Sequence, residues 1–382
     1  MIVELHILQN FAPSNLNRDD TNSPKECQFG GCRRARISSQ CMKRAIREYF
    51  RENLLVSPEN LAKRTRLVRG EIAKRLQGLG NKSEEDAKKA ASEVVKALGF
   101  AFKDSDRTEY LIFVGEKEIE AIAHVALDHW ADLTSTSLDE KTRKAIGDEL
   151  KSKLDGGTAC DLALFGRMLA DLPVKNIDAA CQVAHAISTH KVGVEFDFYT
   201  AVDDLQPEEE TGAGMMGDIE FNSACYYRYA DIDLGQLRRN LAGKEWDKAS
   251  EAEKSDANDL AVKTVEAFLH AAVAAIPTGK QNSFSAQNPP DFVLAVVRES
   301  GAWSLANAFA HPVAVKEGSD LVADSIAALV DYWGKLKQFY GDDGITAAPA
   351  MALHGNDLDG MEEVAGLKDL VHRVKQAIAA ER

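Results

Sequence analysis

Apolar and polar positions alternate at two different periods along this chain, and the change of period divides it into regions. Residues 2 to 9 are rich in Ile, Val and Leu and alternate weakly, which predicts a central or half-buried first strand. A polar loop with Pro, Asn, Asp and Ser follows, and from Ser39 the period becomes helical. On that helix, predicted to run to about Asn53, Gln40, Lys43, Arg44 and Arg47 share one side. Met42, Ala45, Ile46 and Tyr49 take the opposite side, with Phe50 near the border.

Further along, Leu61 to Leu76, Ser83 to Leu98, Glu116 to Leu133 and Glu140 to Leu154 all read as helices dominated by Ala, Glu, Lys and Leu. A helix is also predicted over Asp178 to His190, with Ala180, Val183, Ala184 and Ile187 at helical spacing. At Val194 the period returns to two: Val194, Phe196 and Phe198 alternate with Glu195, Asp197 and Tyr199, and a second alternating run spans about Ile219 to Tyr229. The acidic, Pro- and Gly-containing segment between them predicts the tip of a long hairpin. A helix over Asp259 to Ile276, a buried strand over residues 292 to 298, and helices over Asp320 to Tyr340 and Gly360 to Ala380 complete the chain. With the helical region set aside, the order strand, helix, strand pair, helix, strand predicts an α+β fold with an RRM-like (ferredoxin-like) sheet. Such sheets commonly bind single-stranded RNA.

The length of 382 residues exceeds what one core usually serves, so two lobes or one domain with a large insertion are expected. No apolar run is long enough for a membrane span, and MIVELHILQNF begins as a strand rather than a signal peptide, so a cytoplasmic location is expected. Six cysteines without a secretion signal are expected to be reduced thiols. Cys27, Cys32 and Cys41 lack the paired spacing of a zinc site, while His185 and His190, five apart, would face different ways on a helix.

The net charge of −14 argues against a nucleic-acid partner only as an average. Residues 31 to 75 hold thirteen Lys and Arg against four Glu, a local +9, which leaves −23 for the remainder. A basic strip on an acidic body can hold a polyanion along one track and repel it elsewhere. Within that strip Gly30-Gly31 permits a tight turn, Arg33, Arg34 and Arg36 lie in an extended arm, and Ser38 and Ser39 stand where a helix N-cap belongs. Glycine pair, arginines and helix start make a phosphate-binding corner. The alternative is an amphipathic helix whose cations pair only with surface acids.

Several blocks together resemble the backbone subunit of the type I-E CRISPR Cascade complex, the CasC family. They are NLNRDD (Asn15 to Asp20), FGGCRRARISSQCMKRAIR (Phe29 to Arg47), AHAISTH (Ala184 to His190), FYTAVDDLQ (Phe198 to Gln206), FNSACYYRYADIDL (Phe221 to Leu234) and GKQNSF followed by NP (Gly279 to Pro289). The resemblance implies a hand-shaped protein with an RRM-like palm over residues 1–55 and 190–382, helical fingers over 56–189 and a hairpin thumb over 196–224. It implies a subunit without catalytic residues, metal or cofactor. Several copies would stack along a CRISPR guide RNA beside other Cascade subunits and present the spacer to target DNA.

The RNA-binding residues it implies are Arg18 in NLNRDD, then Arg33, Arg34, Arg36, Ser38, Ser39, Gln40, Lys43, Arg44 and Arg47. Phe198, Tyr199 and Thr200 of the thumb would displace a base, with Met168 opposing them from the fingers, and Gly279, Lys280 and Gln281 would contact the RNA backbone. Backbone subunits of the related type III complexes cut target RNA with an aspartate in the first loop. Asp19 or Asp20 as a metal-binding nuclease residue is therefore the competing expectation, against which adjacent residues on an extended chain point to opposite sides. No P-loop or dinucleotide fingerprint points to a phosphate-binding metabolic enzyme.

Overall fold

The computed structural model describes residues 1–135, 137–201, 204–205, 215–243, 246–355 and 357–380. The acidic hairpin tip Pro207-Glu208-Glu209-Glu210 lies outside them.

The first strand, β1 (Ile2–Ser14), is longer than its alternating start suggested, with Val3, Leu5, Ile7, Leu8 and Phe11 all buried. Strands β2 (Glu26–Phe29) and β3 (Cys32–Ile37) pair antiparallel around Gly30 and Gly31. Both glycines have positive φ, +61° and +77°, as a two-residue hairpin turn requires. At Gly30 even a Cβ would lie 1.7 Å from the Ala310 carbonyl oxygen, so the turn is seated directly on backbone. Helix α1 (Ser39–Glu52) follows, burying Met42, Ala45 and Ile46 as its pattern predicts, while Phe50 is fully buried rather than at the border.

The region predicted to be helical contains β4 (Ala62–Thr65), α2 (Val68–Gly80), α3 (Glu84–Ala97), β5 (Ile112–Gly115), α4 (Glu116–Asp128), α5 (Trp130–Thr134), α6 (Glu140–Ser152) and α7 (Cys160–Phe165). The helix expected from Leu61 therefore begins only at Val68, because residues 62–65 pair antiparallel with β5 and Ala62 N–H donates to Asp161 Oδ1 at 2.8 Å. The helix expected over Asp178 to His190 does not form. Its residues instead make β6 (Cys181–Val183) and β7 (Ala186–Ser188), and β7 pairs with β3. Val183, Ile187 and Thr189 are β-branched, and sheet pairing overrides a short helical spacing.

Strands β8 (Glu195–Ala201) and β9 (Met215–Asp233) form the long hairpin, followed by α8 (Leu234–Leu241), α9 (Glu251–Ala274), the one-turn α10 (Gln281–Phe284) and β10 (Phe292–Arg298). Helix α11 (Leu321–Tyr340), short strands β11 (Ile345–Ala347), β12 (Pro349–Ala352) and β13 (Glu362–Glu363), and α12 (Leu367–Ala379) end the chain. The main sheet runs β13-β12-β10-β1-β9-β7-β3-β2, an α+β arrangement as expected.

Two compact units result. One comprises Met1–Tyr49, Val183–Asp231 and Phe268–Arg382, and the other Phe50–Gln182 and Ile232–Ala267. Residues 232–267, expected in the sheet-containing lobe, thus belong to the second unit. Asn240 holds them there by donating to the Ala163 and Asp178 carbonyls. Helices α2, α3, α4 and α6 build that unit's core around Ile72, Leu76, Val94, Ile119, Ile146 and Leu150.

The sheet unit buries several titratable groups. His6 Nδ1 meets the Tyr227 hydroxyl at 2.9 Å, and burial helped by Arg298 lowers its pKa to about 3. Burial and Arg34 lower His190 to about 4. Glu4, 3.2 Å from Arg298, is raised by its burial to about 7 although that arginine opposes the shift. Between pH 6.5 and 4.5 the unfolded chain therefore carries up to two imidazole protons, and the folded chain one, on Glu4. Stability should fall on acidification by about 1 kcal/mol per pH unit from these groups, and more steeply only between pH 4.5 and about 4, below which the folded His190 takes up a proton of its own. Thermal unfolding at pH 7.5 and pH 5 checks the sign, and a higher melting temperature at pH 5 would contradict it.

Candidate nucleic-acid interface

The start of α1 is held by two side chains. Ser38 Oγ accepts from Cys41 N–H at 3.4 Å, the capping role expected of it, and Ser38 N–H donates to Asn17 Oδ1 at 2.8 Å. The first turn carries no acidic residue that would oppose an anion there. On the polar face Gln40 and Arg44 are exposed and Lys43 and Arg47 half-buried, while Arg44 Nε bonds Glu48 Oε1 at 2.8 Å. That pair lies on the surface, one helical turn apart, and holds the guanidinium only weakly.

The arginine arm divides into two kinds of residue. Arg33 stays exposed and pairs with Glu26, and Arg36 donates to the Glu26 carbonyl at 3.1 Å and meets His185 Nδ1 at 3.0 Å. Arg34, expected on the RNA, is instead fully buried. It donates to the carbonyls of Ser188 (3.0 Å), Phe309 (2.6 Å) and Phe29 (3.3 Å), and so fastens β3 to its surroundings. An alternating strand must turn one of two adjacent arginines inward, and here it is Arg34.

The loop that follows β1 is shaped by Asp19, whose Oδ1 accepts from Thr21 N–H (2.9 Å), Thr21 Oγ1 (2.8 Å) and Ser23 N–H (3.0 Å). These hydrogen bonds hold its carboxyl below the usual range. Arg18 Nη1 donates to Asn22 Oδ1 at 3.3 Å. Against this loop lies the turn at Gly279, where a Cβ would be 2.3 Å from the Leu16 carbonyl oxygen. Lys280 adopts a left-handed φ of +52° immediately after it.

Gln281, also expected on the RNA, spends its side-chain amide on its own turn. Nε2 donates to the Pro277 and Ala286 carbonyls at 3.1 and 3.2 Å. Loop, turn and helix border an open hollow of about 320 Å³ lined by Asn17, Arg18, Asp19, Arg44, Thr278 and Gly279 among others. Three segments far apart in sequence thus meet at one polar hollow. Replacing Gly279 with Ala must push the turn off Leu16, so the hollow should lose its shape. Under the RNA-binding expectation drawn from the sequence, affinity should fall about tenfold, and a backbone overlap of this kind, costing on the order of 1–3 kcal/mol at the site, should also lower the melting temperature by a few degrees. Filter binding read beside thermal unfolding checks both.

The hairpin of β8 and β9 presents the aromatic residues. Phe196, Phe198 and Thr200 share one face, opposite Glu220, Asp218 and Met216, and Phe198 is 66% exposed. Tyr199 faces the other way and lays its ring on Gly217, where a Cβ would come within 2.6 Å of the hydroxyl, so it is only 36% exposed. The three consecutive candidates are therefore not one wedge. Phe198 is the available ring. Phe196 and Met216 beside it are also exposed, although neither was expected as a contact from the sequence. The period of two that places Phe196 with Phe198 was the signal for the first of these.

In the second unit Met168 is 84% exposed. It follows Gly166, whose φ of +75° and approach to the Ile177 carbonyl exclude a side chain, and the fully buried Arg167. Arg167 Nη1 lies 2.8 and 2.9 Å from the two oxygens of Glu118, which also accepts from Gly115 N–H and Gly156 N–H. Among the described residues no group of three His, Cys, Asp or Glu is arranged to hold a metal ion, and no helix is long and apolar enough to cross a membrane.

These features define an α+β protein with a serine-capped basic helix beside a polar hollow and an exposed aromatic β-ribbon. The chain belongs to the family described as CT1975-like protein, which matches residues 3–373. It is 30% identical to a chain of a solved structure described as a CRISPR RNA-guided surveillance complex, pre-nicking, covering 99% of this chain and 100% of that one with a TM-score of 0.83. A chain of another CRISPR RNA-guided surveillance complex, 24% identical over 99% of this chain and 100% of that one, shares the fold with a TM-score of 0.73. No curated protein matches the chain. Family and structural likeness agree with the Cascade backbone resemblance read from the sequence blocks.

Proposed function

We propose that this protein is a component of a CRISPR surveillance complex of the Cascade type, and within it a non-catalytic backbone subunit. Copies line up along the guide RNA inside the cell, and the spacer is presented for pairing with target DNA, as the resemblance to the type I-E family implies. The observation that carries this reading is the convergence of the NLNRDD loop, the basic helix and the Gly279 turn on one hollow. A subunit serving any spacer must hold phosphates and stack on bases without reading their edges. Arg18, Arg33, Arg36, Gln40, Lys43, Arg44, Arg47 and Lys280 supply the polar contacts, with Ser38 and Ser39 at the helix start. Phe198 supplies the stacking surface, Thr200 shares its face, and Tyr199 braces the ribbon from behind. Met168, exposed on its rigid turn, is the second apolar contact.

The nuclease reading through Asp19 or Asp20 is disfavoured by Asp19 itself, whose Oδ1 is already engaged by three donors of its own loop. Guide-length RNAs of unrelated sequence test the proposal. They should bind with equal affinity and equal salt dependence, and complementary RNA added with magnesium should remain intact. Strong sequence preference, or regular cleavage abolished by Asp19→Ala or Asp20→Ala, would overturn it.

A further inference from the structure

The loop of the polar hollow and the aromatic ribbon are joined by one side chain. Asn15 is buried, and its Nδ2 donates one hydrogen to the Asn22 carbonyl at 3.0 Å and the other to the Glu220 carbonyl at 2.9 Å. Asn22 closes the loop that carries Arg18 and Asp19, and Glu220 stands directly across from Phe196 in the ribbon. The Phe221 ring meets Phe284 at 5.6 Å, tying the next ribbon residue to the helical turn that follows Gly279. Gly279 itself rests on the carbonyl of Leu16, the residue after Asn15.

Every residue of β8 is exposed, so nothing packed beneath that strand sets its direction. Its stance depends on how β9 leaves the sheet, and the contacts above act at that point. A primary amide of this length carries two N–H donors on one atom, which is what a clip between two backbone carbonyls needs.

We propose that Asn15 is a positioning residue that fixes the angle of the Phe196 and Phe198 face to the guide-contacting loop. Seating of the RNA backbone and placement of the stacking ring then form one rigid setting. The inference rests on the guide-binding reading above.

Asn15→Asp keeps the shape, removes both donors and sets carboxylate oxygens against two carbonyl oxygens. Phe284→Leu loosens the same root through a different contact and serves if the first variant does not fold. In the RNA-free protein, exchange of the amides of residues 195–201 and 215–220 should rise about tenfold while those of α1 and β10 keep their rates.

With guides carrying 2-aminopurine at successive spacer positions, the wild type should show fluorescence maxima at regular intervals where bases are unstacked. Compared at RNA concentrations that saturate each protein, the variants should lose about half of that enhancement. Unchanged exchange overturns the clip. Faster exchange with unchanged maxima overturns the positioning role and leaves the guide-binding reading standing. A wild type that binds no guide overturns the guide-binding reading and the positioning role with it, one that binds guide without maxima overturns the positioning role alone, and in both cases the exchange result still reports on the clip.

Discussion

Glu118→Ala should lower the unfolding free energy of the helical unit by about 3–5 kcal/mol, the usual loss when one member of a buried ion pair is removed. Glu118 and Arg167 both have about 1% of their side-chain surface exposed, so the guanidinium left behind would have neither counter-charge nor water. The amides of Gly115 and Gly156 would lose their acceptor as well. Gly115 ends β5 and directly precedes α4, so the damage would reach the start of that helix. Glu118→Gln retains an acceptor oxygen without the charge and should cost clearly less. Denaturant unfolding followed by hydrogen exchange of α2, α3 and α4 measures both variants, and a loss below 1 kcal/mol for Glu118→Ala would contradict this account of the Met168 mount.

Lys43→Ala with Arg44→Ala should weaken guide binding by about ten- to a hundredfold for every spacer alike, since charge-assisted phosphate contacts are among the stronger polar interactions. The more specific signature lies in the salt dependence. Removing one phosphate-bound cation should reduce the magnitude of the log-log slope by roughly 0.7, so about 1.4 for the pair if both side chains touch phosphates. Arg44 lies in the lining of the hollow, and its surface bond to Glu48 is weak enough to exchange for a phosphate oxygen. Binding at several salt concentrations checks this. An unchanged slope would mean that the helix is only a solvated face.

Much of this arrangement was legible from the chain alone, and the failures share a cause. The apolar face Met42, Ala45 and Ile46, the Ser38 cap and the Gly30-Gly31 turn follow from local chemistry, and the structure has all of them. Arg34 failed because a strand has two faces, and which one is buried depends on Ser188 and Phe309, more than 150 residues away. The short strands at residues 181–183 and 186–188 failed similarly, since their partners lie elsewhere in the sheet. Tyr199 reads like Phe198 until the glycine opposite it is known. The blocks of family resemblance located the three parts of the hollow, but only the fold shows that Leu16, Arg44 and Gly279 line it together.

The most direct test of the central claim is to purify the protein from cells expressing a CRISPR array, extract the accompanying nucleic acid, and size both particle and RNA. The account predicts a multi-copy particle holding RNA of discrete guide length. A nucleic-acid-free monomer that remains so when guide RNA and partner subunits are supplied would contradict it.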